Sequence, residues 1–124
     1  MRPDSSQVRE VLADAWERWA RRCDELTDEQ WSSPTRCTGW DVRALVAHVC
    51  PGPAMFDMLN GAAIEGPAAV TDAAVMLRRF NEPGGIAHTA ADNLAEQAVA
   101  DAGQLSADAV VARFTTCARI VRDT

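Results

Sequence analysis

The sequence predicts an all-α protein, an up-down helical bundle of four or so main helices. Apolar residues recur at three- and four-residue steps through several long segments, which is the spacing of one helical face. Residues that cap helices stand at the starts of these segments, and no segment alternates between apolar and polar residues as a strand would. Residues 1–124 are long enough for one domain with a modest core, and we predict a single helical domain over that range.

The first helix is predicted over residues 4 to 26. Asp4 or Ser5 can cap its start, and charged residues occupy the side opposite its apolar face. Thr27 and Gln30 follow at capping-box spacing, which predicts a short helical turn. The apolar face comprises Val8, Val11, Leu12, Ala15, Trp16, Trp19, Cys23 and Leu26.

A loop, "SSPTRCTG", separates this region from a second helix that Thr38 or Gly39 opens, with Asp41 in its first turn. Its predicted buried stripe is Val42, Leu45, Val46 and Val49. The prolines of "CPGP" interrupt the helix, and "AMFDMLNGAAI" resumes as a helical segment until Gly61 or Gly66.

Three further helices are predicted in the second half of the chain. Thr71 caps a shorter helix, residues 86 to 102 form an alanine-rich helix that Gly103 ends, and Ser106 caps the last helix. The last helix is predicted to bury Val110, Val111, Phe114, Cys117, Ala118 and Val121.

Composition and charge exclude several classes of function. All 12 basic residues are Arg, the net charge is −6, and no basic stripe is present, so nucleic acid and membrane surfaces are not expected partners. No run approaches the roughly 18 apolar residues of a membrane span, and "MRPDSSQVRE" lacks the core of a signal peptide. We therefore expect a cytoplasmic protein whose four cysteines are thiols.

His48 is the first candidate for chemistry. On a helical wheel it lies about 60° from Leu45, at the margin of the apolar stripe, where it can be a structural residue or reach a cavity. A catalytic zinc needs roughly three protein ligands. The second histidine, His88, has no further ligand at i+3 or i+4 and is interpreted as an exposed or capping residue.

Cys37 is the second candidate. It directly precedes the predicted helix N-terminus and follows Arg36, and both features favour a thiolate. The alternative is a half-buried loop residue that fills space beside Trp31 or Trp40. These two tryptophans flank the loop and are predicted to clamp it against the bundle.

The run "LTDEQWSSPTRCTGWDVRALVAHV" resembles the N-terminal signature of the mycothiol-dependent maleylpyruvate isomerase family, within the DinB/YfiT-like superfamily. The resemblance implies a four-helix bundle with a divalent metal at one end, commonly zinc with nickel as the alternative. It also implies an isomerase or S-transferase that uses a low-molecular-weight thiol such as mycothiol on a small-molecule substrate, with His48 as the first metal ligand. The Arg-only, Ala-rich composition fits an actinobacterial source. The matching residues are Trp31, Pro34, Thr35, Cys37, Gly39, Trp40, Val42, Arg43, Leu45 and His48.

The sequence departs from the family pattern in two places. The family supplies its other ligands from a later Glu-x-x-x-His pair, and no such pair follows His48; "CPGP" also interrupts the helix after it. We therefore expect either a chain that is truncated before the last bundle helix or a homodimer in which a partner supplies the missing surface. Three hypotheses follow: a metal-dependent, thiol-using enzyme; a non-catalytic helical module that dimerises or binds a small ligand; and a redox sensor based on Cys37.

Overall fold

A computed structural model describes residues 4–62 and 65–124. Within this part of the chain the fold is all-α, as predicted, and its sole β feature is an isolated bridge between Pro34 and Asp41. No helix there is long and apolar enough to cross a membrane. In chain order the helices are α1 (Ser5–Asp24), α2 (Asp28–Trp31), α3 (Val42–Val49), α4 (Ala54–Gly61), α5 (Ala73–Asn81), α6 (Ile86–Thr89), α7 (Ala91–Ala102) and α8 (Ala107–Asp123).

Side-chain caps fix the starts of several helices. The Asp4 carboxylate accepts from the Gln7 backbone N–H at 2.9 Å, and the Gln7 side chain accepts from the Asp4 N–H at 3.0 Å. Thr27 and Gln30 form the same reciprocal pair, which confirms the predicted capping box. Ser106 caps α8 as predicted, through a bond from the Ala109 N–H to its hydroxyl at 3.1 Å.

The main core lies between α1 and α8, the two longest helices. Phe114 on α8 is fully buried and stacks on Trp19 of α1, with ring centroids 5.7 Å apart and planes within 10° of parallel. Trp31 of α2 and Val46 of α3 join the same cluster. One turn towards the start of α1, Phe56 of α4 meets Trp16 edge to face at 6.3 Å. Helices from both halves of the chain therefore share one core.

Helix α3 is buried on two sides. Val46 faces the α1–α8 core, while Ala44 and Ala47 pack with Ala102 of α7 in a separate small cluster. The small alanine side chains allow α7 to approach α3 closely. The predicted stripe along α3 is thus one part of its buried surface, and Ala44 and Ala47 form a second part that was not predicted.

Three sequence predictions about these helices are wrong. Val8, Val11 and Leu12 are 50, 69 and 40% exposed, because on the wheel they lie away from Ala13, the residue through which this turn of α1 contacts α8. Asp72 rather than Thr71 caps α5. The helix predicted over 86–102 is divided at Ala90 into α6 and α7.

The end of α4 agrees with one of its two predicted positions. Helix α4 ends at Gly61. The alternative, an extension of this helical segment to Gly66, passes through residues 63 and 64, which lie outside the described residues.

Helices α5 and α6 form a peripheral hairpin. No described residue of either helix is buried, and the main neighbour of α5 is α6. His88 on α6 hydrogen-bonds through Nε2 to the carbonyl oxygen of Asn81, the last residue of α5, at 2.9 Å. This contact matches the interpretation of His88 as a capping residue.

Arg122 near the end of α8 joins α8 to α1 through three carboxylates. Its guanidinium donates to Glu10 at 3.2 Å, to Asp14 at 2.6 Å and to Glu17. The hydrogen bond from Arg122 holds the pKa of Glu17 below its ordinary value. Without Arg122, the three carboxylates would repel one another along one side of α1.

We expect Arg122→Gln to lower the midpoint of urea unfolding at pH 7. The pKa of folded Glu17 is depressed, so the stabilisation is complete above the unfolded glutamate pKa of about 4.3. It is lost as the pH falls through the lower folded pKa, so the difference between wild type and variant should shrink in acid and in high salt. The control is Arg119→Gln, on the exposed side of the same helix, which should leave the midpoint nearly unchanged. Equal effects of the two substitutions would contradict the assignment.

Candidate functional site

The loop before α3 is closed by its own hydrogen bonds. The Thr35 hydroxyl donates to the Trp40 carbonyl at 2.8 Å and accepts from the Cys37 N–H at 3.1 Å. The Val42 N–H donates to the Ser33 carbonyl at 2.9 Å, across the base of the loop. These bonds hold the loop from within.

Helix α3 begins later than the sequence predicted. Gly39 has a φ of +84°, in the left-handed region that favours glycine, so residues 38 and 39 form a turn rather than a helix start. Asp41 is the N-cap, and its carboxylate accepts from the Ala44 N–H at 2.9 Å. The prediction that Thr38 or Gly39 opens the helix is therefore wrong by a few residues.

Trp40 joins the loop to α7 and to His48. Its side chain is half-buried, and its indole Nε1–H donates to the Ala95 carbonyl of α7 at 3.3 Å. The indole ring lies 5.1 Å from the His48 imidazole, centroid to centroid, with the planes tilted by 44°. The predicted clamping role of Trp40 is confirmed, and its contact with His48 was not predicted.

His48 lies in the last turn of α3 and is exposed. The wheel placed it at the margin of the apolar stripe, and in the structure it lies on the solvent side of that margin. Its ring rests against Trp40, and its outer side is open to solvent. This geometry leaves the imidazole accessible to a ligand.

A shallow cleft of about 460 Å³ lies between the loop and α7, with the Trp40 indole as one wall. A second cleft of about 360 Å³ shares Gly39 and Val99 with it. Glu96 on the first cleft is exposed, and Val99 is an exposed apolar residue. The first cleft is lined by Thr38, Gly39, Trp40, Ala95, Glu96, Val99 and Ala100.

The described residues do not complete a metal centre. No three His, Cys, Asp or Glu side chains within residues 4–62 and 65–124 are grouped so that they could hold a metal ion. His48 offers one imidazole donor, whereas a catalytic zinc takes about three protein ligands. The donor set therefore does not fit the complete metal site that the family resemblance implies, and no catalytic step through a metal follows from it.

The four cysteines are free thiols in different surroundings. Cys37 is exposed in the loop, five positions before the first residue of α3, so its predicted place at a helix N-terminus is wrong, as is its half-buried alternative. Burial raises the pKa of the Cys23 and Cys117 thiols, and that of Cys50 to about 11. These three groups are therefore protonated at neutral pH and serve as core residues.

The α7 side of the cleft was missed by sequence reasoning. Ala95, Glu96 and Val99 belong to an alanine-rich helix with weak apolar periodicity. The bond from Trp40 to Ala95 spans 55 positions, and its acceptor is a backbone carbonyl that any residue type could supply. No residue pattern in the sequence could therefore have indicated this contact.

Fold and site define a class: a small helical-bundle protein whose candidate site lies at the end of α3, where an exposed histidine rests against an anchored tryptophan. The sequence match then gives the family. Residues 12–124 match the model of the mycothiol maleylpyruvate isomerase N-terminal domain, and the chain belongs to this family. Neither the search of curated proteins nor that of solved structures gives a significant match.

Proposed function

We propose that this protein is a thiol-dependent isomerase or S-transferase-like protein of its family, with His48 as a ligand of a divalent metal such as zinc or nickel. Family membership supports the use of mycothiol or a similar low-molecular-weight thiol. We place the protein in the cytoplasm as part of the same proposal. The single observation that carries the proposal is the exposed imidazole of His48 against the anchored indole of Trp40. In this proposal further groups complete the metal site, because the described residues bring no three His, Cys, Asp or Glu side chains together.

The adjoining cleft supports a small-molecule substrate. Its apolar wall and its single exposed carboxylate, Glu96, resemble the usual composition of ligand sites, which combine apolar surface with a few polar groups. A ligand in this cleft would contact Trp40, and Trp40 contacts His48. The cleft is therefore the part of the surface where we place the substrate or the thiol.

We expect zinc binding in the wild type that His48→Ala weakens by at least a factor of ten. Loss of a group that only supports a ligand already reduces metal affinity by about 10- to 100-fold, so loss of a ligand should do no less. Equilibrium dialysis followed by elemental mass spectrometry measures the zinc retained per chain. His88→Ala is the matched control, since His88 is exposed and bonded to Asn81, and it should retain zinc like the wild type. Equal retention in His48→Ala, or no zinc in the wild type, would contradict the metal role.

A second candidate is a non-catalytic helical module that forms a homodimer. The absence of a three-donor group among the described residues favours it, as do the exposed apolar side chains of α1 and α5. The mass of the assembly, recorded by light scattering on the dialysed samples, distinguishes the two candidates. A stable dimer that retains no zinc and is unchanged by His48→Ala would support the module.

A further inference from the structure

The second residue of the candidate site is Trp40, whose place in the fold does not depend on His48. Its backbone is held by the loop: its carbonyl accepts from the Thr35 hydroxyl at 2.8 Å, and its N–H donates to the Cys37 carbonyl at 3.0 Å. Its side chain is held by α7 through the bond to Ala95. The indole is therefore fixed at both ends by groups other than the imidazole it contacts.

His48, in contrast, is exposed, and its ring contacts the indole of Trp40. An exposed histidine side chain samples several rotamers in solution unless a contact selects one. Aromatic pairs with ring centroids between about 4.5 and 7 Å attract each other beyond the effect of buried area. The separation of 5.1 Å lies within that range.

We infer that Trp40 is a positioning residue that selects the orientation of the His48 imidazole and links it to α7. The inference rests on the proposed function only in treating His48 as a functional group; the contact itself requires no metal. The indole is also a wall of the cleft. A ligand that displaces the Trp40 ring would therefore change the orientation of His48.

The metal-free wild type provides the first test, by NMR. We expect nuclear Overhauser contacts between the His48 ring and the Trp40 indole, and ring-current shifts in the His48 ring protons. His88 lies on α6 and hydrogen-bonds to the carbonyl oxygen of Asn81. It should show neither effect and serves as the internal control. If the His48 ring shows no contact with Trp40, the inference is overturned without any substitution.

The second test compares Trp40→Leu with Trp40→Phe, with χ1 populations of His48 measured from three-bond couplings. The free energy of an aromatic pair corresponds to about a two- to tenfold preference, so Trp40→Leu should reduce the population ratio of the selected rotamer by about that factor. Trp40→Phe lacks the indole N–H but keeps an aromatic ring, and because of that ring it should retain most of the rotamer preference of His48. Val99→Ala, which changes another residue of the same cleft, should leave the ratio unchanged.

These outcomes distinguish a Trp40 that orients the His48 ring from a Trp40 that only stabilises the fold. A merely structural Trp40 would lower the unfolding midpoint in both variants and leave the His48 rotamers unchanged, which would overturn the inference. If Trp40→Leu does not fold, the nuclear Overhauser contacts of the wild type still decide the question, because their absence overturns the inference. Failure of the wild type to retain zinc would refute the proposed metal role and leave these rotamer measurements valid.

Discussion

Phe114→Ala is expected to lower the free energy of unfolding by about 3–5 kcal/mol, the usual cost of removing a buried aromatic ring. Phe114 is fully buried in the core between α1 and α8, and its ring stacks on Trp19. The substitution leaves a cavity and removes the packing partner of that indole. Urea unfolding followed by circular dichroism at 222 nm measures the change.

The control for this substitution is Phe80→Ala. Phe80 on α5 is 41% exposed, and we expect a change within about 0.5 kcal/mol, as for most surface positions. If Phe114→Ala leaves too little folded protein to measure, Phe114→Leu should show a smaller loss of about 1 kcal/mol. Similar losses for Phe114→Ala and Phe80→Ala would mean that α1 and α8 do not form the main core.

Gly85→Ala is expected to open the α5–α6 hairpin. A Cβ at this position would lie 2.5 Å from the Arg79 carbonyl oxygen and 2.6 Å from that of Phe80, and neither backbone atom can move without disturbing α5. Overpacking of this kind costs about 1–3 kcal/mol and sometimes more. Because no described residue of α5 is buried, we expect this cost to appear as local opening rather than as global unfolding.

Hydrogen exchange measured by mass spectrometry distinguishes local from global opening. In Gly85→Ala, peptides from α5 and α6 should exchange faster, while those from α1 and α8 should keep their wild-type protection. Gly61→Ala is the matched control, since a Cβ there meets no atom within 4 Å. Unchanged exchange in α5, or faster exchange across the whole chain, would contradict the prediction.

Most of the helices could be predicted from the sequence because their signals are local. The capping box of Thr27 and Gln30, the cap at Ser106 and the apolar repeat around Trp16 and Trp19 all depend on residues within one or two turns. The periodicity could not show how far α8 covers α1, and for this reason Val8 and Val11 were expected to be buried. The extent of this coverage depends on packing between the first and the last helix of the described chain, which local sequence patterns do not reveal.

The candidate site was predictable in part. The motif around Cys37, Gly39, Trp40 and His48 indicated where to look, and the family match over residues 12–124 agrees with it. The contact between Trp40 and His48 was not evident, because Trp40 precedes the N-cap Asp41 and a helical wheel of α3 does not place its side chain. Direct bonding of the indole to α7 was less predictable still, since its acceptor is a backbone carbonyl.

The pairing of α1 with α8 has a consequence for synthesis on the ribosome. The surface of α1 that contains Trp16, Trp19 and Cys23 is made before Phe114 on α8, because the two helices stand at opposite ends of the described chain. At about 5–20 residues per second, an α1 that has left the ribosome waits roughly 5–20 s for its partner. During that time two indoles on one amphipathic helix face water or a chaperone. The nascent chain is therefore expected to engage holding chaperones through α1.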